Sequence, residues 1–179
     1  MLILKALWLL LPAGFANMAP IFAAKVFPRW DTPVDFGGSW KGNEIFGSHK
    51  TYRGLISGAL MGLLIFGIQQ ILYRSFPFSK ELSLFPYDEL SPFFGAWMGI
   101  CALLGDLVKS FFKRRFAIAP GKAWIPFDQI DWIIGALLGI CVVFIPSLAI
   151  VAASFVMGLG LHFFIKYVGF LWKLNPTPV

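Results

Sequence analysis

Five residues in the middle of the chain are spaced for joint chemistry. Asp106, Lys109, Ser110, Lys113 and Arg114 fall at i, i+3, i+4, i+7 and i+8, so they share one face of a helix. Asp106 follows an apolar run, and an ionisable group at membrane depth is costly enough to mark a site by default. Asp128 and Asp131 lie three apart at the head of the next apolar segment and on a helix would point the same way. Together the three carboxylates are hard oxygen ligands beside several cations. That donor set suits Mg²⁺, which usually arrives with a substrate's phosphates. Plainer readings stand beside this one. Asp106 could pair with Lys109 or Lys113 and close on itself, the aspartates of the later pair could serve a helix dipole, and basic side chains could reach for headgroups. The last reading suits Arg115 and Lys122 best.

A second polar segment, 35–51, combines glycines, hydroxyls and lysines. Its end, Gly47-Ser-His-Lys-Thr51, has the flavour of a phosphate loop. It is not the P-loop motif, because no glycine adjoins the lysine and no strand precedes it. The weaker inference is that glycine exposes backbone N–H groups to anions. Lys50 and Thr51 also stand at the entry to an apolar helix, where free N–H groups point at ligands. His49 is open to a phosphate, a base or plain solvent. His162, deep in an apolar run, reads as an interhelical hydrogen-bonding residue.

These residues need elements that hold them in a membrane. Of 179 residues, 58% are hydrophobic and 13% charged, whereas soluble domains carry about a quarter charged residues. The apolar residues sit in long blocks, the pattern of spanning helices rather than of a barrel. The expected fold is an all-α, multi-pass membrane protein with one domain of about five spans at 2–22, 54–73, 90–112, 129–145 and 147–172. Its first span also has features of a leader peptide but is read as a membrane helix. The last two spans are split near Pro146. Two polar loops, 23–53 and 113–127, hold most of the 15 Lys and Arg. The positive-inside rule places both in the cytoplasm, with the N-terminus outside and the C-terminus inside. Net charge is +6. It reports topology and headgroup contact rather than nucleic acid, since no soluble basic domain exists. Glycines recur every fourth residue at Gly54, Gly58 and Gly62, at Gly95 and Gly99, and at Gly135 and Gly139, a spacing for close helix packing in lipid. Cys101 and Cys141 lie in apolar blocks and are read as packing residues.

Over most of its length the chain resembles the CDP-archaeol synthase family, small membrane relatives of phosphatidate cytidylyltransferase. The resemblance rests on Pro12-Ala-Gly-Phe-Ala-Asn17, Thr32-Pro-Val-Asp-Phe-Gly37, Phe46-Gly-Ser-His-Lys-Thr51 and Gly54. It rests most specifically on Gly105-Asp106, Ser110-Phe-Phe-Lys113-Arg114-Arg115, Pro120-Gly121 and Phe127-Asp128-Gln129-Ile130-Asp131. The Ser-x-x-Lys-Arg and Asp-x-x-Asp elements, in this order, are distinctive for the wider superfamily. The chain departs from the larger bacterial-type enzymes in lacking their Lys-Asp pair and in reading Asp-Gln-x-Asp for Asp-Arg-x-Asp. The resemblance implies transfer of CMP from CTP to an isoprenoid ether lipid phosphate, giving a CDP-lipid and pyrophosphate. It implies Asp106, Asp128 and Asp131 on Mg²⁺, directly or through water. It also implies Lys113 and Arg114 on phosphates with Ser110 nearby, Lys50 and Thr51 on the triphosphate or the lipid phosphate, and Asn17 and Asp35 as polar positioning groups. Competing expectations are the same chemistry on phosphatidate, a small transporter whose charges line a pathway, and a non-catalytic scaffold. Nothing in the sequence sets an oligomeric state.

Overall fold

An apolar chain in lipid must satisfy its own backbone, and long helices do so without a sheet edge. The computed structural model describes residues 1–119 and 122–171, apart from the side chains of 162 and 164–171. The expected Pro120-Gly121 element, the His162 side chain and the end of the last expected span lie outside the described residues. Six helices form an all-α membrane bundle: α1 (Leu2–Val26), α2 (Tyr52–Ser75), α3 (Pro77–Leu82), α4 (Phe93–Arg115), α5 (Phe127–Ile140) and α6 (Leu148–Leu171). Helices α1, α2 and α4 are long and apolar enough to cross a bilayer. The apolar stretch Leu148–Leu161 of α6 is shorter. Helix α5 has 14 residues, a rise of about 21 Å against a hydrocarbon core of about 30 Å. It stops at Ile140, short of the expected 145, because the chain turns through 141–143 and Val143 N–H donates back to the Ile140 carbonyl at 2.9 Å.

Helix α4 is the hub. It packs against α1, α2 and α5, and glycine sets two of those contacts. Across α2 and α4, a Cβ at Gly62 would strike the Gly95 carbonyl, and one at Gly99 would lie 2.6 Å from the Gly58 carbonyl oxygen. Across α4 and α5, a Cβ at Gly105 would strike the Asp131 carbonyl, and one at Gly135 the Cys101 carbonyl. The fourfold glycine spacing therefore does what was expected of it. Cys101 is buried at this seam, but Cys141 is exposed at the end of α5; only the first is a packing residue.

The connection between α2 and α4 is more ordered than a loop. Pro77 opens α3 at a position where its missing N–H costs nothing. A single 3₁₀ turn, Tyr87–Glu89, follows. Gln70 Nε2 donates to the carbonyls of Tyr87 and Leu90 at 2.8 and 2.7 Å. The buried Tyr87 ring then meets Trp8, Phe66, Tyr73 and Phe85, with centroids 6.5, 5.2, 5.9 and 4.6 Å away. This aromatic cluster fills one end of the bundle.

The other end carries the polar segments. Between α1 and α2, strands β1 (Ser39–Trp40) and β2 (Asn43–Glu44) pair antiparallel. Their two-residue turn has Lys41 at φ 53° and Gly42 at φ 80°, the positive pair that a tight hairpin requires.

Candidate active site

The approach of α4 to α5 decides the geometry. Because Gly105 carries no side chain, the α5 backbone at Asp131 lies directly against it. Asp106, one residue on, is thereby brought beside Asp128 and Asp131. The three carboxylates surround a single ammonium. Lys109 Nζ lies 3.0 Å from Asp106 Oδ1, 2.8 Å from Asp128 Oδ1 and 3.0 Å from Asp131 Oδ2. Lys50 pairs with the second oxygen of Asp106. Lys113, buried on α4, reaches both oxygens of Asp128 at 3.1 and 3.0 Å. Trp124 N–H donates to Asp128 Oδ2 at 2.6 Å, and Trp132 N–H to Asp131 Oδ1 at 2.7 Å. Every oxygen of the three acids has a partner, and three lysines balance three carboxylates.

Lys50 arrives from the first polar segment through α2. Thr51 caps that helix, its Oγ1 accepting from Gly54 N–H at 3.3 Å. Two strand-like bonds hold the approach, Val34 N–H to the Lys50 carbonyl at 2.7 Å and Tyr52 N–H to the Thr32 carbonyl at 3.1 Å. Gly47 has φ +104°, and a Cβ there would lie 3.8 Å from Arg114 Nε. The glycine lets the loop settle over the end of α4. Arg114 Nη1 in turn donates to the Ile118 carbonyl at 2.6 Å.

Other expected residues lie elsewhere. The Asp35 carboxylate accepts from Gly37 and Phe46 N–H at 3.0 and 2.9 Å, so it shapes the loop rather than facing the acids. His49 is exposed, and Ser110 is buried on the acid-bearing face of α4. Asn17 lines a separate cavity of about 480 Å³ between α1 and α6. Lys109 was expected only as a plain pairing partner of Asp106; that pair forms, and Lys109 is also the centre of the whole cluster. Arg115 was assigned to headgroups; instead its guanidinium donates to the carbonyls of Trp40 and Glu44 at 2.7 and 2.6 Å. It also stacks 4.7 Å from the Phe111 ring centroid. A planar donor fork between two carbonyls ties the hairpin to α4, which a headgroup-seeking lysine would not do.

Beside the acids, α4 and α5 line an almost wholly apolar groove of about 580 Å³. Leu104, Val108, Phe112, Ile134 and Leu138 form its walls, and Lys109 and Asp131 are its charged lining residues. Those five wall residues are exposed.

The acid set fits a hard divalent ion by donor type and charge, and the Lys109 ammonium stands where such an ion would be held. Among the described residues no group of three or more His, Cys, Asp or Glu side chains is already set to hold a metal. The reason is size. Oxygens at 2.8–3.0 Å from an ammonium are spread wider than the roughly 2.0–2.1 Å shell of Mg²⁺. Direct ligation would need the acids to close in by just under about 1 Å.

The family model for CarS-like CDP-archaeol synthase matches residues 1–178. The chain belongs to the CDP-archaeol synthase family. Among curated members, the CDP-archaeol synthase of Pyrococcus furiosus is 43% identical over 121 residues, 66% of this chain and 64% of that protein. That of Thermococcus onnurineus is 39% identical over 120 residues, 66% of this chain and 63% of that protein. The matched stretch thus spans less than two thirds of these relatives. A solved structure of an intramembrane enzyme for archaeal membrane lipid biosynthesis superposes with a TM-score of 0.74, at 28% identity, covering 92% of this chain and 94% of that one.

Proposed function

We propose that this CDP-archaeol synthase family member is a cytidylyltransferase that moves CMP from CTP to an isoprenoid ether lipid phosphate. The observation that carries this reading is the convergence of Asp106, Asp128 and Asp131 with Lys50, Lys109 and Lys113 at the polar mouth of an apolar groove. One reactant of such a transfer is a polyphosphate, the other a phosphate on greasy chains. The groove walls give the chains an apolar bed running to the charged cluster. The cations give two anions a place to meet. An oxygen of the lipid phosphate attacks the α-phosphorus of CTP, the bond from that phosphorus to the bridging oxygen breaks, and pyrophosphate leaves. The nucleophile is already an anion, so catalysis is positioning and charge stabilisation.

Asp106, Asp128 and Asp131 would hold Mg²⁺, directly or through water. Bound there, Mg²⁺ would neutralise the triphosphate and stabilise the departing pyrophosphate. Lys113 and Arg114 stand at the end of α4 to receive phosphate oxygens, with Ser110 one turn below. Lys50, beside the capped start of α2, serves the triphosphate. The basic end of the bundle faces the cytoplasm, where CTP is found, by the positive-inside rule.

The test is formation of a CDP-lipid from labelled CTP and Mg²⁺ by purified protein in detergent. The isoprenoid ether lipid phosphate and phosphatidate are offered separately, alongside Asp128→Asn. Product from the ether lipid that vanishes in the variant supports the proposal. Preference for phosphatidate would move the substrate to diacyl lipids. No product from either, in folded protein, would sink it.

A further inference from the structure

A cluster of three acids and three lysines is electrically complete without any metal. This has a consequence for how metal enters. The Lys109 ammonium is bounded by one oxygen from each acid, at 3.0, 2.8 and 3.0 Å, with its side chain mostly buried. A divalent ion and an ammonium cannot share that position, since two cations in contact repel strongly in a poorly solvated site. We infer that Lys109 is an internal counter-ion that keeps divalent metal out of the acid cluster until a nucleotide polyphosphate draws its ammonium away. The inference rests on the metal placement proposed above.

Lys109 is on a four-carbon stem whose head can swing between partners, unlike a rigid guanidinium. It lies on the same α4 face as Lys113 and opposite Lys50, so a triphosphate held by those two would offer it new oxygens nearby. Once it leaves, the acids become available to metal, and the nucleotide supplies further oxygen ligands. Metal and nucleotide then bind as a unit. By linkage each tightens the other, with couplings of this kind typically about 5–150-fold. Lys50 does not do the same work, because it touches only the outer oxygen of Asp106.

The test measures Mn²⁺ binding by electron paramagnetic resonance on detergent-purified protein without nucleotide, a readout independent of turnover. Wild-type protein should bind Mn²⁺ weakly. Lys109→Met should bind it at least tenfold tighter, while Lys109→Arg, which keeps a cation in place, should match the wild type. If Lys109→Met does not fold, Lys109→Gln carries the same expectation. If neither folds without metal, recovery of a thermal unfolding transition in Mn²⁺ is the same result read as stability. Failure to fold in either condition, or nucleotide-free affinity no higher than wild type, overturns the inference. Asp128→Asn, made in the wild type and in Lys109→Met, separates the two layers. If it removes Mn²⁺ binding while Lys109→Met gains nothing, only the counter-ion role fails. If Mn²⁺ binding survives Asp128→Asn, the acids are not the metal site and the metal placement fails as well.

Discussion

Gly105 and Asp131 meet backbone to backbone, with the Asp131 carbonyl oxygen occupying the space that a Cβ at Gly105 would need. One missing methyl group therefore places an acid on α5 beside an acid and a lysine on α4. Gly105→Ala should force the helices apart. Overpacking of this kind costs about 1–3 kcal/mol, visible as a lowered thermal unfolding midpoint, and CDP-lipid formation should fall further than stability does. Gly67→Ala is the control, because nothing lies within 4 Å of a Cβ there. It should leave activity intact.

Neutralising one acid should cost activity more than stability, although Lys113 loses its acid partner. Asp128 accepts from two lysines and a backbone N–H. Asp128→Asn keeps its shape but loses its charge, and turnover should drop by about 100-fold or more, as when a preorganised electrostatic group is removed. Chelation by EDTA should abolish CDP-lipid formation in the unmodified protein, and added Mg²⁺ should restore it.

The hairpin over α4 depends on one side chain. Arg115→Lys retains charge but loses the forked contact to Trp40 and Glu44. Hydrogen exchange across 39–46 should then accelerate by roughly tenfold, consistent with loss of about one charge-assisted hydrogen bond. Exchange in α5 should not change.

Filling the apolar groove should separate the two proposed substrates. Val108 is an exposed groove wall, and Val108→Trp would occupy the space proposed above for the lipid chains. KM for the lipid phosphate should rise several-fold while KM for CTP stays put, measured by varying each in turn.

The Thr51 cap carries a smaller, local prediction. Thr51→Ala removes the acceptor for Gly54 N–H and should cost about 1 kcal/mol of stability. Because Lys50 adjoins that cap, KM for CTP should rise as well.

Much of this was legible from residue spacing. The i, i+3, i+7 pattern from Asp106 to Lys113 placed the charges on one helical face, and the glycine periodicity announced close helix contact. What spacing could not show is depth of interdigitation. Asp106 and Asp131 lie far apart in sequence, and only the Gly105 contact says that they meet at one lysine. Arg115 was misread because its partners are backbone carbonyls of Trp40 and Glu44, which carry no side-chain signature. Asp35 and Asn17 matched family motifs, yet one organises its own loop and the other faces a different cavity. A motif identifies a position without saying which way it points.

The buried Tyr87 cluster at the far end gives the bundle a direction. Rings are packed there and Gln70 fastens the connection to the helix, while the acid–lysine cluster sits at the opposite end. The transfer proposed above would then work from a single leaflet. On that reading lipid would enter and product leave on the same side, and supply of the opposite leaflet would fall to a separate flipping step.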